Sequence, residues 1–570
     1  MSLSMLIEQI IAHHKKFIVI TGGVCSSLGK GVLISSLGVL LKNAGYSVAV
    51  MKWDPYLNVD PGTMSPLQHG EVFVTSDGAE TDLDLGHYER LIGIDVTRRS
   101  SITSGQIFEE ILHHERTGTL LGHCIQMVPH VVDAIKQRLF TFALDSDAEF
   151  ILIEIGGTVG DIEGELFLET IRQLRTDLCS SRMFHGHLGY VPFLSWTGEI
   201  KTKPTQHSVM QLKRAGITPD GLFLRADESI DALSIKKLSL MCGVPVHMIF
   251  QSLTFKPIYK LFIDLAHQGL GMSIQRHFGY KNPKDSDLSS WLNLIAAIEK
   301  PQGSIRVGLI AKYVGSNDPY ISVIEAIKSA GYHFKQDITV EFIEAEQLEK
   351  EPYGSDYEAW SILKKLDGIV VPGGFDTRGI EGKILAARFA REHNIPYLGL
   401  CLGMQVMLIE AGRSLLGLHG AHSTEMNAQT PHPVVALLDE QARVQRKGAS
   451  MRLGNYECSV VAGTKAHQAY GKETITERHR HRYEFNNNYR TQYEQAGVVF
   501  SGIFKEKDLV EIAELPAHRF MLGAQFHPEF TSSPLKINPL FKAFVESIVE
   551  NRKTNNHFQQ ASSARSTSFS

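Results

Sequence analysis

FIVITGG (residues 17–23) running into VLISSLGVLLKNAGY (32–46) is a short apolar run, a glycine pair and a helical repeat of apolar positions. That order reads as a buried parallel strand handing over to a helix, the opening of an α/β sheet. The same pattern returns at IRVGLIAKYV (305–314), followed by YISVIEAIKSAGY (320–332). Further strand-like runs are YSVAVMK (46–52), EFILIEIGG (149–157), GLFLRAD (221–227), DGIVVPGG (367–374) and IPYLGLCLG (395–403). Consecutive parallel strands need helical crossovers, so the pattern predicts an α/β protein of two doubly wound parallel-sheet domains. The first is expected over 1–279 and the second over 304–554. Between them, Asn, Pro, Asp, Ser and Gly clusters in 280–303 bracket one short helix around Trp291 and read as a linker. Residues 555–570 hold few aliphatics and are expected to be a disordered tail.

Composition agrees with packed domains. At 570 residues the chain exceeds one hydrophobic core, and its 43% apolar and 21% charged residues exclude a disordered, collagenous or disulfide-scaffold protein. A net charge of -5 supplies no general field for nucleic acid, and no basic stripe compensates. Cys25, Cys124, Cys179, Cys242, Cys401 and Cys458 form no CxxC pair or regular framework, which fits a reducing cytoplasm. The start MSLSMLIEQIIAHHKK lacks a small-residue cleavage site, and charges interrupt every apolar run before about 20 residues, so neither export nor membrane insertion is expected. No repeat of 20 to 50 residues is present.

GGVCSSLGKGV (22–32) sits at the strand-to-helix junction, where backbone N–H groups and the helix dipole suit a polyphosphate and Lys30 can reach it. Two features depart from the usual phosphate loop. Five residues separate Gly23 from Gly29, and Gly31 stands where a metal-binding Ser or Thr is common. Metal ligands are therefore sought elsewhere: Asp82 and Asp84 alternate in AETDLDLGHYER (79–90), read as extended, and Glu154 lies inside an apolar strand. A carboxylate there needs a cation or donors. In GEIKTKPTQHS (198–208), Lys201 and Lys203 are expected on one side of an extended segment, with Pro204 discouraging a helix, as a second polyanion site.

A different chemistry appears in the second half. IPYLGLCLGMQ (395–405) places Cys401 between Gly399 and Gly403 at the end of an apolar strand and before a helix, a nucleophile elbow built with cysteine. PGGF (372–375) offers backbone donors for an oxyanion. In AQFHPEF (524–530), His527 and Glu529 stand two apart, so on an extended segment they share a face as general base and orienting carboxylate. The arginines of ERHRHRYE (477–484) suit a substrate carboxylate better than its histidines suit a metal.

These motifs, in this order, resemble the CTP synthase family from the first strand to about residue 550: GGVCSSLGKG, MKWDPYLNVDPGTMSPLQHGEVFVTSDGAETDLDLGHYER, EIGGTVGDIEGE, GEIKTKPTQHS, GLCLGMQ, ERHRHRYE and AQFHPEF. The resemblance implies an amidoligase domain and a class I glutamine amidotransferase domain that together aminate UTP to CTP. It implies that Ser27, Leu28, Gly29, Lys30, Gly31, Val32 and Asp84 contact ATP, that Lys30 and Lys52 act at its phosphates, and that Asp84 and Glu154 hold Mg²⁺. UTP, and CTP as feedback inhibitor, would meet Ser26, Asp161, Ile162, Glu163, Lys201, Thr202, Lys203, Pro204, Thr205, Gln206 and Lys237. Glutamine would meet Gly374, Leu402, Gly403, Met404, Gln405, Glu425 and Arg482, with Cys401, His527 and Glu529 as the triad. GTP as activator and a homotetramer are implied as well. Three stretches depart from the family pattern: Asp376 and Thr377 replace the usual Gly-Tyr, which bears on lid behaviour and GTP activation, 437–454 is shortened, and GEL (164–166) replaces Ser-Leu-Pro. Another ATP-dependent amidoligase acting on a carboxylate, or a non-catalytic assembly protein, are the competing readings.

Overall fold

The computed structural model describes residues 2–122, 124–313, 315, 317–375, 377–437 and 451–566. Asp376 and most of the shortened 437–454 stretch lie outside these described residues. The chain divides into two compact units, Met1–Thr63 with Glu80–Ile295 and Met64–Ala79 with Ala296–Ser570.

In unit 1 the strands of the main sheet are β1 (Lys16–Gly22), β2 (Val48–Asp54), β3 (Ser101–Thr103), β4 (Phe150–Ile155), β5 (Met183–Tyr190), β6 (Gly221–Ala226) and β7 (Ile249–Leu253). Their order is β7-β6-β5-β1-β4-β2-β3, and every pairing is parallel. The chain departs from β1 to one side and later returns to fill the other, so the carboxyl ends of the central strands β1 and β4 flank the switch point where such sheets bind ligands. β4 is buried throughout because helices cover both faces. Trp53, Phe17, Phe140 and Ile153 belong to the core of one face, and Leu6 and Ile10 of the first helix, Leu3–Ala12, join it.

In unit 2 the main sheet has β8 (Gly303–Ala311), β9 (Gln336–Glu344), β10 (Gly368–Val371), β11 (Tyr397–Leu400), β12 (Arg452–Val460), β13 (Thr474–His481), β14 (Val499–Phe504), β15 (Leu509–Glu514) and β16 (Met521–Ala524). The order is β9-β8-β10-β11-β16-β15-β14-β12-β13. Its first five strands are parallel, as expected, and the remainder continues antiparallel. Alternation partitions the core: Ile369 and Val371 face one layer while Val370 faces the other.

Two stretches differ from the expected boundaries. The stretch read as a linker is packed into unit 1 as far as Ile295. Trp291, on the helix Ser289–Glu299, lies against Tyr259 and Phe262, and burying so large an apolar side chain outweighs the loop-like composition around it. At the end, the helix Pro539–Ser566 continues through residues read as a tail. Leu540, Phe541, Phe544, Val545 and Ile548 anchor its start in the core, and 551–566 contains neither Pro nor Gly to stop propagation.

Candidate functional sites

The first site gathers at the carboxyl ends of β1, β2 and β4. After β1 the loop passes through left-handed backbone at Val24 (φ 81°), Ser27 (φ 56°) and Gly29 (φ 103°). A β-branched residue at positive φ is strained, and alternation of this kind turns successive N–H groups into one concavity. Ser26 and Ser27 are exposed and Leu28 is buried. Lys30 opens the helix Lys30–Asn43, followed by Gly31 and Val32; its stem lies over Gly22 and its Nζ donates to the Gly157 carbonyl at 2.6 Å. Burial holds its ammonium below the usual lysine range, against the attraction of Glu154.

Lys52 and Glu154 are register neighbours on β2 and β4, and Nζ lies 3.1 Å from Oε1. Lys52 also pairs with Asp84 and sits 3.7 Å from Asp54. Burial opposes its charge, but Asp84, Glu154 and Asp54 outweigh that and push Lys52 well above its ordinary value. Glu154 is buried and accepts from the Tyr88 hydroxyl; burial raises its carboxyl, with Lys52 pulling the other way. Asp54 is raised by burial too, and its Oδ2 has no hydrogen-bond partner among the described residues. Asp82 and Asp84 are not on an extended segment: Asp82 caps the helix Leu83–Ile92, accepting from the Asp84 N–H at 3.0 Å, and Asp84 sits in its first turn. An Asx cap is a stronger local preference than the strand suggested by alternation.

The donor set fits a magnesium ion. A Cβ on Gly31 would meet Asp84 Oδ1 at 2.6 Å and Glu154 Oε2 at 3.5 Å, so two carboxylates converge where a side chain at 31 would intrude. Among the described residues no group of three or more His, Cys, Asp or Glu side chains is arranged to hold a metal alone. Magnesium needs no such cage, since phosphate oxygens and water complete its shell.

Around this cluster, Asp161, Ile162 and Glu163 are exposed at the short turn before the helix Glu165–Leu178. The extended reading of the KTKPTQ stretch is corrected: Lys203 opens the helix Lys203–Arg214 and Pro204 sits in its first turn, where its missing N–H costs nothing. Lys201 pairs with Glu199, Thr202 accepts from Gln206, and Thr205 donates to the Tyr190 carbonyl. Ser208, on the same helix, meets His187, which with His185 shares the hydroxyl of Thr21 on β1. Lys237 is exposed on the neighbouring helix Ala232–Cys242; among the described residues no hydrogen bond or ion pair joins it to the other predicted nucleotide contacts.

The second site lies at the carboxyl ends of β10, β11 and β16. Cys401 follows β11 at φ 51° and ψ −102°, outside the ordinary wells, and its N–H is held by the Ala524 carbonyl at 2.7 Å. Such strain costs about 1–3 kcal/mol and persists because the surroundings over-determine it. Gly399 and Gly403 make the turn possible: a Cβ at 399 would lie 2.5 Å from the Gly403 carbonyl carbon, and one at 403 would collide with the Val371 oxygen. The helix Leu402–Ser414 then starts at the sulfur, placing its positive end there.

His527 and Glu529 lie on a turn after β16, not on an extended segment, because Pro528 removes a ladder donor between them. They still meet, with Nδ1 at 2.6 Å from Oε1, and the His527 ring stacks on Phe530. Burial disfavours its charge, but Glu529 and then the Cys401 sulfur overcome this and lift His527 to about 10. Gly373 faces the pair: a Cβ there would be 2.8 Å from the His527 ring and 3.7 Å from the Cys401 Cβ. Gln525 Nε2 reaches the Cys401 sulfur at 3.6 Å, and Gln405 binds Gln525 and the Tyr483 carbonyl.

Leu402, Gly403 and Met404 are buried, and the Met404 N–H is already taken by the Cys401 carbonyl. Gly374 borders Leu402. Glu425 and Arg482 both act on the Tyr483 phenol, so they share a neighbourhood, and the Arg482 Nε is buried without a hydrogen-bond partner among the described residues. His479 and His481 share a hydrogen bond between their rings, and burial keeps both well below the ordinary imidazole value. Asp54, Tyr88, Gln525 and Lys383 escaped the sequence reading, although Asp54 ends an apolar strand two residues after Lys52 and Lys383 interrupts the apolar stripe Ile380, Ile384, Ala387.

Residues 16–280 match the family model described as CTP synthase N-terminus, and 317–547 match glutamine amidotransferase class-I. CTP synthase of Dehalococcoides mccartyi strain CBDB1 is 50% identical over 530 residues, 93% of this chain and 96% of that protein. CTP synthase of Staphylococcus carnosus is 46% identical over 531 residues (93% and 97%), and that of Carboxydothermus hydrogenoformans 47% over 538 (94% and 99%). Among solved structures, the Trypanosoma brucei CTPS glutaminase domain with bound acivicin is 35% identical and covers 43% of this chain and 94% of its own, with a TM-score of 0.40. With both halves matched and the curated relatives aligned along nearly their whole length, the chain belongs to the CTP synthase family.

Proposed function

We propose that the two sites divide one reaction, the ATP-dependent amination of UTP to CTP with nitrogen taken from glutamine. The observation carrying this reading is that one chain holds a lysine–carboxylate cluster beside a phosphate-binding loop and a strained cysteine elbow beside a His–Glu pair.

At the first site the uracil 4-oxygen is a poor leaving group until the ATP γ-phosphoryl is transferred to it. Lys30 and Lys52 would offset charge on that phosphoryl, the loop Ser27–Val32 would hold the triphosphate, and Asp84 and Glu154 would hold the magnesium ion. The ion, when bound, supplies charge neutralisation between phosphate oxygens. Ser26, Asp161, Ile162, Glu163, the 201–206 stretch and Lys237 are assigned to UTP, and to CTP as competing product. Ammonia then displaces phosphate and yields CTP.

At the second site Cys401 attacks the glutamine carboxamide carbon. The imidazolium of His527, held by Glu529, gives its proton to the departing ammonia, and water hydrolyses the remaining thioester to glutamate. Arg482 and Glu425 would grip the amino-acid end, Gln405 would support the pocket, and the N–H groups of the 372–375 turn would receive the oxyanion.

GTP as activator and a homotetramer complete the proposal. Among the described residues no helix is long and apolar enough to cross a membrane. All six cysteines are free, which supports a cytoplasmic setting. The test is direct: purified chain with UTP, ATP, Mg²⁺ and glutamine should form CTP and release phosphate and glutamate in equal amounts. Amination of a carboxylate acceptor in place of UTP would overturn it.

A further inference from the structure

Lys383 lies on the helix Ile380–Glu392 among Ile380, Ile384 and Ala387, and is completely buried. None of the described carboxylates pairs with it. Instead its Nζ donates to the Pro372 carbonyl at 3.1 Å and lies 3.8 Å from where a Gly374 Cβ would stand. An apolar residue would fill this position without the desolvation that an amine suffers there, so the contact with the turn is the physical gain. Burial, with Lys312 adding to it, brings Lys383 down to about 7, and the Cys401 sulfur pulls the other way. Both the amine and the ammonium carry an N–H for Pro372, so the contact survives either state.

The Pro372 carbonyl and the Gly373 N–H belong to one planar trans peptide and point in opposite directions. Holding the carbonyl therefore sets the direction of the N–H. At the far end of the turn Lys312, just past β8, donates to the Phe375 carbonyl at 2.5 Å. Two lysines from separate elements thus pin both ends of PGGF, while the Gly373 and Gly374 N–H groups donate to no other described residue, and Gly373 faces Cys401 and His527.

From this geometry we infer that Lys383 is a positioning residue for acyl transfer at Cys401: by holding the Pro372 carbonyl it orients the backbone donors that receive the oxyanion. The inference rests on the glutaminase reading of this site. To test it, Lys383→Met is compared with wild type in the full chain for glutamine hydrolysis, ammonia-driven CTP synthesis and inhibition by glutamate γ-semialdehyde, whose hemithioacetal on Cys401 needs the same donors. The expected result is a kcat for glutamine lower by about ten- to a hundredfold, KM within about threefold, weaker aldehyde inhibition in proportion to kcat, and unchanged ammonia-driven synthesis. A kcat within twofold of wild type, or a loss carried by KM with aldehyde inhibition intact, overturns it. Should the Met variant lose ammonia-driven synthesis through misfolding, Lys383→Gln, which keeps an N–H, decides: intermediate kcat with weakened aldehyde binding supports the inference and wild-type values overturn it. Wild type that hydrolyses no glutamine overturns the glutaminase reading itself.

Discussion

The carboxyl end of the sheet in unit 1 and that in unit 2 solve opposite problems. Around Lys52, charge is dense and buried: Asp54, Asp84 and Glu154 surround one ammonium, and one carboxylate oxygen has no donor among the described residues. Such a cluster is poised for an ionic ligand, because each buried carboxylate is costly until a cation or donor meets it. Around Cys401 reactivity is placed by backbone and one His–Glu pair: a strained φ, glycines too crowded for any Cβ, and a histidine whose proton Glu529 and the Cys401 sulfur favour. The first arrangement selects by electrostatics and waits for its ligands to complete it. The second is already assembled from the chain's own backbone and side chains, and under the proposed function it needs only the substrate to arrive.

If that contrast holds, the two sites fail independently. The largest effect expected is for Cys401→Ala, which should lower glutamine-driven CTP formation by at least about four orders of magnitude while ammonia-driven formation stays near wild type. Parallel assays with the two nitrogen sources check it, and loss of both would merge the sites. Next, Lys52→Met should cut synthesis from either source by about a hundred- to a thousandfold and spare glutamine hydrolysis. Removing the ammonium also leaves its carboxylates unpaired, a destabilisation of about 3–5 kcal/mol that a denaturant titration of unit 1 signals would detect.

A smaller change should follow Glu529→Gln, with glutamine hydrolysis slower by about a hundredfold. It also carries a pH signature. His527 stands at about 10 in the folded chain, against about 6.5 for a free imidazole. The pairing therefore stabilises fully below about pH 6.5, and that contribution is lost as the pH rises through 10. Unfolding midpoints of wild type and Glu529→Gln should differ most near neutral or mildly acidic pH and converge above about pH 10. Least of all, Asp82→Ala removes a helix cap beside Asp84 and should cost about 1 kcal/mol with a modest rise in the magnesium needed for half-maximal synthesis.

How far these sites were legible depends on what each residue's neighbours look like in sequence. Glu154 and Cys401 stood out because an apolar strand makes a polar residue conspicuous, and β1, β2, β4, β10 and β11 were readable for the same reason. By contrast β5, MFHGHLGY, has no apolar pattern; its histidines are admitted to the core only because Thr21 and Ser208 supply partners from β1 and a helix far along the chain. The segment Met64–Ala79 reads as part of the first domain, yet it counts with unit 2, where Phe73 packs edge-on against Phe530 and Arg478 donates to the Val74 carbonyl.

What the order of residues determined alone was the strand–glycine–helix grammar and the candidate residue types for two chemistries, because backbone sterics and periodicity act over a few neighbouring positions. Tertiary structure alone decided which carboxylates surround Lys52, that His527 and Glu529 meet across a turn, and that Lys383 grips the turn opposite Cys401. Those outcomes depend on register between strands and on burial supplied by distant elements, and neither quantity is encoded in local spacing.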